Sequence, residues 1–444
     1  MKGFASDMFR FLCQLPVLLG LFLCFPGCGD TPPVTSTSEP PAQPATPDPP
    51  PLDDEAAVAA LSEAGFLFTK NDDGLIVECS VNSDSDISAS LVHLSGIPNV
   101  VVAGFSGPGI TDEGMENLTS LTRLQRLDLS DSAIGDATLQ SVGKLPDLQV
   151  LGLRRTGATD SGLAALTDLS RIRAIDLRNS NITDDGLTHL AGLKTLVDVQ
   201  LEKSKVTDDG VAKLGDLPLK NINLNYCTSI SNASLKVLGG MPTLEGIQLD
   251  YTKITDEGMA HVAGLDRLKR LRIRGADVTG AGLAHIAGLK NLQRLELRDT
   301  SLDDDGLKTI SQLPEVNYLD ISECRIATPE GMKLIGKLKK LKHLGFWETK
   351  LNDEAFSEFG DLVLVEELDL KATNVTDESV PTMLKMTKLR HLNLAGTQIS
   401  DDGFRQLAAL PELAELNVAN TNIGFDVIDE LAEKEGLKVV EFEN

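Results

Sequence analysis

The sequence predicts an α/β solenoid, a horseshoe with a concave parallel β-sheet and convex helices, and three observations carry that prediction. A 24-residue period runs through most of the 444 residues. Each period opens on apolar residues at strand spacing and closes on apolar residues at helical spacing. Aromatic residues make up only 4% of a chain that is 41% hydrophobic, so the core has to be aliphatic.

With Ile172 as position 0, one copy places Ile172, Ile175 and Leu177 at positions 0, 3 and 5, then Ile182-Thr183-Asp184, Gly186-Leu187, Leu190 and Leu193. The frame spans residues 100–436 in fourteen copies, beginning at Val100, Leu124, Leu148, Ile172, Leu196, Leu219, Leu244, Leu268, Leu292, Val316, Leu341, Val365, Leu389 and Leu413. It slips by one residue at Pro218, near Cys227 and near Cys324. Positions 0 to 5 alternate as a strand, and positions 15, 18 and 21 recur as one face of a helix. Thr159, Thr183, Thr207, Ser231 and their equivalents at position 11 are favoured N-cap residues. Neither element can bury its apolar face alone, so the copies have to stack.

This pattern resembles the leucine-rich-repeat family, on the Leu-x-x-Leu-x-Leu core of each copy. The resemblance covers about three quarters of the chain and implies protein recognition without naming a partner. Position 8 carries Ser132, Thr156, Ser180, Ser204, Thr252, Thr300, Thr349, Thr373, Thr397 and Thr421, with Cys227 and Cys324 in two copies. These side chains form a buried polar ladder that bonds the backbone of the turn. The two cysteine copies resemble the cysteine-containing repeat class of F-box proteins, although no F-box-like segment precedes the array. Cys227 and Cys324 stand roughly 19 Å apart at one strand spacing per copy, too far for a disulfide.

The ends differ in composition from the array. Residues 1–28 hold a basic start, an apolar run from Phe11 to Pro26 and Gly27-Cys28. The ending resembles the lipobox of bacterial lipoproteins, which implies lipidation of Cys28; the alternative is an uncleaved anchor. Both place the remainder outside the cytoplasm, in a bacterial cell envelope. Residues 29–51 read as a proline-rich linker, with nine prolines between Thr31 and Pro51. As polyproline II it would span roughly 65 Å. Residues 52–99 read as an N-terminal cap and degenerate repeat: a helix from Asp53 to Ala64, the apolar Phe66 to Phe68, a turn at Asn71 to Gly74 and a strand from Leu75 to Val81. Residues 437–444 supply a terminal capping strand, with Glu441 and Glu443 discouraging edge pairing.

Function has to come from the concave face, where positions 2, 4, 6 and 7 project from the strands. All three tyrosines, Tyr226, Tyr251 and Tyr318, and the single tryptophan, Trp347, fall at these positions. Binding hot spots are rich in such residues; the alternative is that the rings shield neighbouring turns. Arg270, Arg272 and Arg274 alternate along one strand, with Arg294 and Arg298 on the next and His343 nearby. In a chain of net charge -25, that reversal of sign suggests a seat for an anionic group. The alternative is an ion-pair lattice with Asp250, Glu296, Asp299 and Asp320. Arg154, Arg155 and Arg178 form a smaller group of the same kind.

The acidic balance argues against nucleic acid, whose binding requires neutralised phosphates. Outside the leader there is no Cys-x-x-Cys, zinc-protease, phosphate-loop or Gly-x-Ser-x-Gly motif, so no catalytic residue, cofactor or metal is expected. His189, His261 and His285 share one helical position, at a spacing loose for zinc. The expected function is a non-enzymatic, membrane-tethered scaffold that binds a protein partner. Two alternatives stay open: a binder of anionic envelope polysaccharide, and a structural spacer without a specific ligand.

Overall fold

The computed structural model describes residues 50–442; the leader, Cys28 and the linker through residue 49 lie outside the described residues. Seventeen strands form one open sheet. The first, Leu67–Lys70, pairs antiparallel with Ile76–Asn82. Every later strand then pairs in parallel with the next in chain order, out to Lys438–Val440. Partner residues are 24 apart in most parallel pairs, as in Ala174↔Asp198, but 23 apart in Asp198↔Asn221 and Glu415↔Lys438 and 25 apart in Asn221↔Gly246 and Tyr318↔His343. The sequence slips are therefore absorbed in the turns, and the strands keep one register.

At the N-terminal end, Glu55–Glu63 is a helix capped by the Asp54 carboxylate, which accepts from the Ala56 and Ala57 N–H groups. Gly65 and Gly74 have φ of 92° and 80°, a left-handed region open to glycine; Gly65 precedes the first strand of the hairpin and Gly74 lies in its turn. The apolar segment after Gly65 is a full strand of that hairpin. It covers the end of the parallel sheet with an antiparallel one.

Side chains at positions 0, 3 and 5 are buried between the sheet and the helices; Leu148, Leu151 and Leu153 are examples. Burying each such leucine is worth about 1.5–3 kcal/mol, a gain realised only when a neighbouring copy closes over it. The helices are short, four to nine residues, and several run into a 3-10 turn, as Asp160–Leu163 does into Ala164–Leu166. Helices this short have little stability of their own, so their ends have to be held by other means.

The first helical residue of one copy holds the N-cap of the next. Asp160 accepts from the Thr183 N–H at 2.9 Å and the Thr183 hydroxyl at 2.6 Å. Asp184 does the same for Thr207, and Asp256 for Thr279. Gly186 and Gly210, two residues into their own helices, allow this approach: a Cβ there would lie 2.4 Å from Asp160 Oδ1 and 2.2 Å from Asp184 Oδ1. Where serine replaces that glycine, at Ser234, its hydroxyl donates to the same carboxylate, Asp208. At Asn232 an amide stands in for the acid, accepting from the Thr255 N–H at 3.0 Å, and the contact between copies stops where Gly280 and Pro329 replace the acid. At those two places the following N-cap changes to Asp303 or Asn352, and each caps its own helix by accepting from Gly306 N or Ala355 N.

The ladder at position 8 takes two forms. The Thr156, Thr252 and Thr300 hydroxyls donate to the carbonyl three residues back, at 2.7–2.8 Å. The thiols of Cys227 and Cys324 reach instead to Leu201 O and Leu297 O of the preceding copy, at 3.1 and 3.2 Å. Cys79, Cys227 and Cys324 are free and buried. Burial pushes the Cys79 thiol up to about 12 and the Cys324 thiol up to about 11, where they are inert as nucleophiles.

Two stability experiments follow. Gly186→Ala is expected to cost about 1–3 kcal/mol because the new methyl overlaps the Asp160 carboxylate. Gly192→Ala, which has open space around the added Cβ, is expected to stay within about 1 kcal/mol of wild type; equal losses in denaturant titrations would remove this role for glycine. Burial alone would raise Asp208, yet hydrogen bonds from Ser231 and Ser234 hold its carboxyl below the usual 3.8. A depressed carboxylate stabilises the fold above its unfolded pKa, and that stability is lost as pH falls through the folded value. Wild type should therefore exceed Asp208→Asn by a constant margin above about pH 4, shrinking below it; a margin independent of pH would show that the charge is not what holds the turn.

Candidate binding surface

The inner face is less open than simple strand alternation implies. Asp176 and Asp250 are fully buried, and Asp198, Glu296, Asn223 and Asn225 are buried with them. Their covers are neighbouring side chains of the same face, at one strand spacing. The floor is thus made of polar groups from position 4 (Asp176, Asn223, Glu296), position 6 (Asn225, Asp250) and position 2 (Asp198).

Position 7 is the largest departure from the sequence frame. In all fourteen copies it has positive φ; eleven of these residues are not glycine, and the other three are Gly107, Gly275 and Gly396. Its N–H still donates to the next copy, as Tyr226 N does to Asp250 O at 2.8 Å and Tyr251 N to Arg274 O at 2.7 Å. The left-handed residue then turns the chain out of the sheet. Tyr226 and Tyr251, expected to project from the strands, stand instead at this turn. Their rings stack at 5.0 Å, and 37% and 38% of the two residues stays exposed. The Tyr251 ring occupies the space of a side chain at Gly275, where a Cβ would fall 2.4 Å from its Cδ1.

Tyr318 and His343 are register partners. Their rings lie parallel at 3.8 Å, 2° apart in plane. The Arg294 guanidinium lies 3.6 Å from the Tyr318 ring on the preceding strand, and His343 Nδ1 lies 2.6 Å from Glu367 Oε2 on the following one. This stack of four groups crosses four strands at position 2. Burial pushes the Tyr318 hydroxyl up to about 12. A second stack crosses position 6: Arg298 lies 4.1 Å and Lys371 4.7 Å from the Trp347 ring. Arg298 reaches over the small Ser322 to do so, and the Trp347 indole N–H is covered without an acceptor. Between the stacks the floor is Gly345, where a Cβ would lie 2.7 Å from Asp320 Oδ1.

The arginines that suggested an anion seat are engaged by the chain itself. Arg272 and Arg274 both donate through Nε to Asp250 Oδ2, and Arg294 Nε to Glu296 Oε1 at 2.6 Å. Arg298 is held by Glu323, and Arg270 by Asn221. The smaller group behaves alike: Arg178 grips Asp176 through Nε and Nη2, while Arg154 and Arg155 share Asp131. Of the four acids named for a lattice, Asp250 and Glu296 meet these arginines in the ion pairs described, and Glu323, which the sequence frame did not single out, meets Arg298. Burial pushes Asp250 up to about 6, against the pull of Arg274. Among the described residues no group of three or more His, Cys, Asp or Glu is placed to hold a metal ion. No helix among them is long and apolar enough to cross a membrane.

Comparison with known proteins follows the geometry. A family model described as a leucine-rich repeat region matches residues 108–330 and 318–444. The fold is similar to that of a leucine-rich-repeat protein of Leptospira interrogans, at TM-score 0.51 and 18% identity, covering 78% of this chain and 91% of that one. It is also similar to the yeast Rad7 and Elc1 complex, at TM-score 0.51 and 16% identity, covering 75% of this chain and 84% of that one. An internalin of Listeria monocytogenes matches at TM-score 0.48 and 18% identity, over 88% of this chain and 96% of that one. Among curated protein sequences, none matches.

The left-handed row makes a direct prediction. Ala372, with φ of 52°, gains nothing from its methyl there, so Ala372→Gly should raise stability by about 0.5–1 kcal/mol. Gly275→Ala should lower it by more than Gly396→Ala, whose added Cβ meets neighbours only at 3.8 Å. Thermal unfolding of the three variants checks the order; a destabilised Ala372→Gly would show that side chains, not backbone, set this turn.

Proposed function

The chain belongs to the leucine-rich-repeat family, and from that premise we propose that it is a non-enzymatic scaffold that takes a protein partner on its concave face. The observation that carries this reading is the pair of stacks, Arg294 to Glu367 and Arg298 to Lys371, on either side of Gly345. Ring faces in both stacks are covered by neighbouring groups. Charged side-chain ends, half-exposed at Arg294 and Glu367, are what the first stack presents. Such ends suit hydrogen bonding to a peptide better than stacking against sugar rings, which needs open aromatic faces. Amphipathic groups held rigid before binding lose little entropy on docking.

The anionic-polysaccharide alternative is weakened by the occupied guanidiniums, since each would have to leave a carboxylate to hold an anion. The leader and linker are the support for an exported, membrane-tethered location in the cell envelope.

The test uses the full chain as bait in envelope extracts, wild type against Tyr318→Ala/Trp347→Ala, with Lys290→Ala on the convex side as control. Loss of two central aromatic groups should weaken a true partner at least about thirtyfold, the equivalent of about 2 kcal/mol. A protein retained by wild type and control but lost by the double variant supports the assignment. Identical eluates from folded proteins, matched by circular dichroism, overturn it; release by acidic polysaccharide would restore the glycan reading.

A further inference from the structure

A cavity of about 160 Å³ opens on the inner face near its C-terminal end, lined by His343, Glu367, Asp369, His391, Asn393 and Glu415. It rests on the same concave face as the scaffold reading above, and it adds the chemistry of the partner. Carboxylates at inner positions of this face are treated in two ways: Asp128 and Asp320 accept a backbone N–H two residues on, and Asp198 accepts from Gln200 and Asn221, whereas others hold a guanidinium. Asp176 holds the Arg178 guanidinium, Asp250 holds Arg272 and Arg274, and Glu296 holds Arg294. In Glu296 with Arg294, acid and guanidinium sit two residues apart on one strand and so share a side of the sheet; Arg178 lies two residues on from Asp176, just past the end of its strand.

Across the strands Glu367–Asp369, His391–Asn393 and Glu415–Asn417 no residue is an arginine. Glu367 and Asp369 stand two residues apart on one strand, as acid and guanidinium do elsewhere. The Glu367 carboxylate lies between two imidazoles, at 2.6 Å from His343 Nδ1 and 3.9 Å from His391 Nδ1. Half of its side chain remains exposed. Asp369 accepts the Lys371 N–H at 3.0 Å, and burial raises its pKa against that bond, a hydrogen bond from Asn393 and the charge of Lys371. The Lys371 ammonium lies against the Trp347 ring, 4.7 Å from its centroid. Glu415 meets the Lys438 ammonium at 3.0 Å.

We propose that this cavity receives the guanidinium of an arginine presented by the protein partner, supplying from outside the group that the chain itself supplies to Asp176, Asp250 and Glu296. The volume admits one side-chain end and excludes a folded element. A planar fork with several donors can reach Glu367 and Asp369 together, which a compact ammonium does less well. The stacked His343 and Tyr318 rings wall one side and hold the Glu367 carboxylate in place.

The experiment titrates full-length protein with the blocked peptide Gly-Gly-Arg-Gly-Gly, reading the imidazole resonances of His343 and His391. Peptides with Gln or Glu at the centre run in parallel. The arginine peptide should move both histidines and saturate with Kd on the order of 1 mM, at least about tenfold tighter than the glutamine peptide. Glu367→Gln, at an exposed site, and the double variant Glu367→Gln/Asp369→Asn should each weaken it, the double by about tenfold or more. Asp185→Asn/Asp209→Asn, the same change in charge on the convex side, should leave it unaltered. Equal binding of the arginine and glutamine peptides, or unchanged binding to the double variant, overturns the proposal. If no peptide moves the histidines while Tyr318→Ala/Trp347→Ala still releases the captured partner, the cavity assignment falls and the scaffold reading stands.

Discussion

One strand spacing per copy, about 4.8 Å, is the constraint on which the rest of this molecule depends. Side chains at equivalent positions of successive copies are brought to contact distance whether or not they attract each other. Planar groups in such a column have to stack, as Arg294, Tyr318 and His343 do. Charged groups have to alternate in sign or turn aside, as Arg270 does toward Asn221 while its register partner Arg294 turns toward Glu296. The same spacing lets Asp160 reach Thr183 across the copy boundary on the other side of the solenoid.

This constraint makes the convex side a cooperative structure rather than a row of separate helices. A four-residue helix such as Asp160–Leu163 cannot persist alone. Its N-cap is fixed by an acid belonging to the copy before, and its own first acid fixes the copy after. The two interruptions at Gly280 and Pro329 confirm the logic, because the next cap there changes to a residue that needs no outside acceptor. Nearest-neighbour coupling of this kind is what gives stacked repeats their stability.

Much of the architecture was legible in the sequence because it depends on residue type. Apolar positions 0, 3 and 5 define the strand, and the insertions near Cys227 and Cys324 show directly as slips. The cap at position 11 is legible through Thr and Ser for the same reason. The Thr-Asp-x-Gly run was also visible, but its meaning lies between copies: Gly186 answers Asp160, 26 residues earlier, and no local rule points that far. The left-handed turn was hidden for a different reason. Tyr226, Arg155, Asp299 and Ala372 share a backbone conformation with no shared chemistry, since the hydrogen bond from the N–H to the next copy imposes it. Of the candidate site, the identities of the aromatic and arginine residues were readable, whereas their pairing was not. Spacing along the chain says that Arg272 and Asp250 face the same way; only the packed face says that they bind each other.

The neutralised centre and the acidic C-terminal end of the inner face then acquire a common explanation. Burying Asp250 without a cation beside it would be costly, so the centre of the face, where side chains from both flanks cover the floor, needs its own arginines. Toward Glu367 the cover thins, the carboxylate keeps half its exposure, and water can do part of what a guanidinium does elsewhere. Acids are therefore tolerable there with a histidine or lysine beside them in place of a guanidinium. A surface on which carboxylates stand in register, partly hydrated and flanked by fixed rings, gains from an incoming cation more than the centre could. The centre has already made those bonds within the chain, and its contribution to recognition is shape and rigidity.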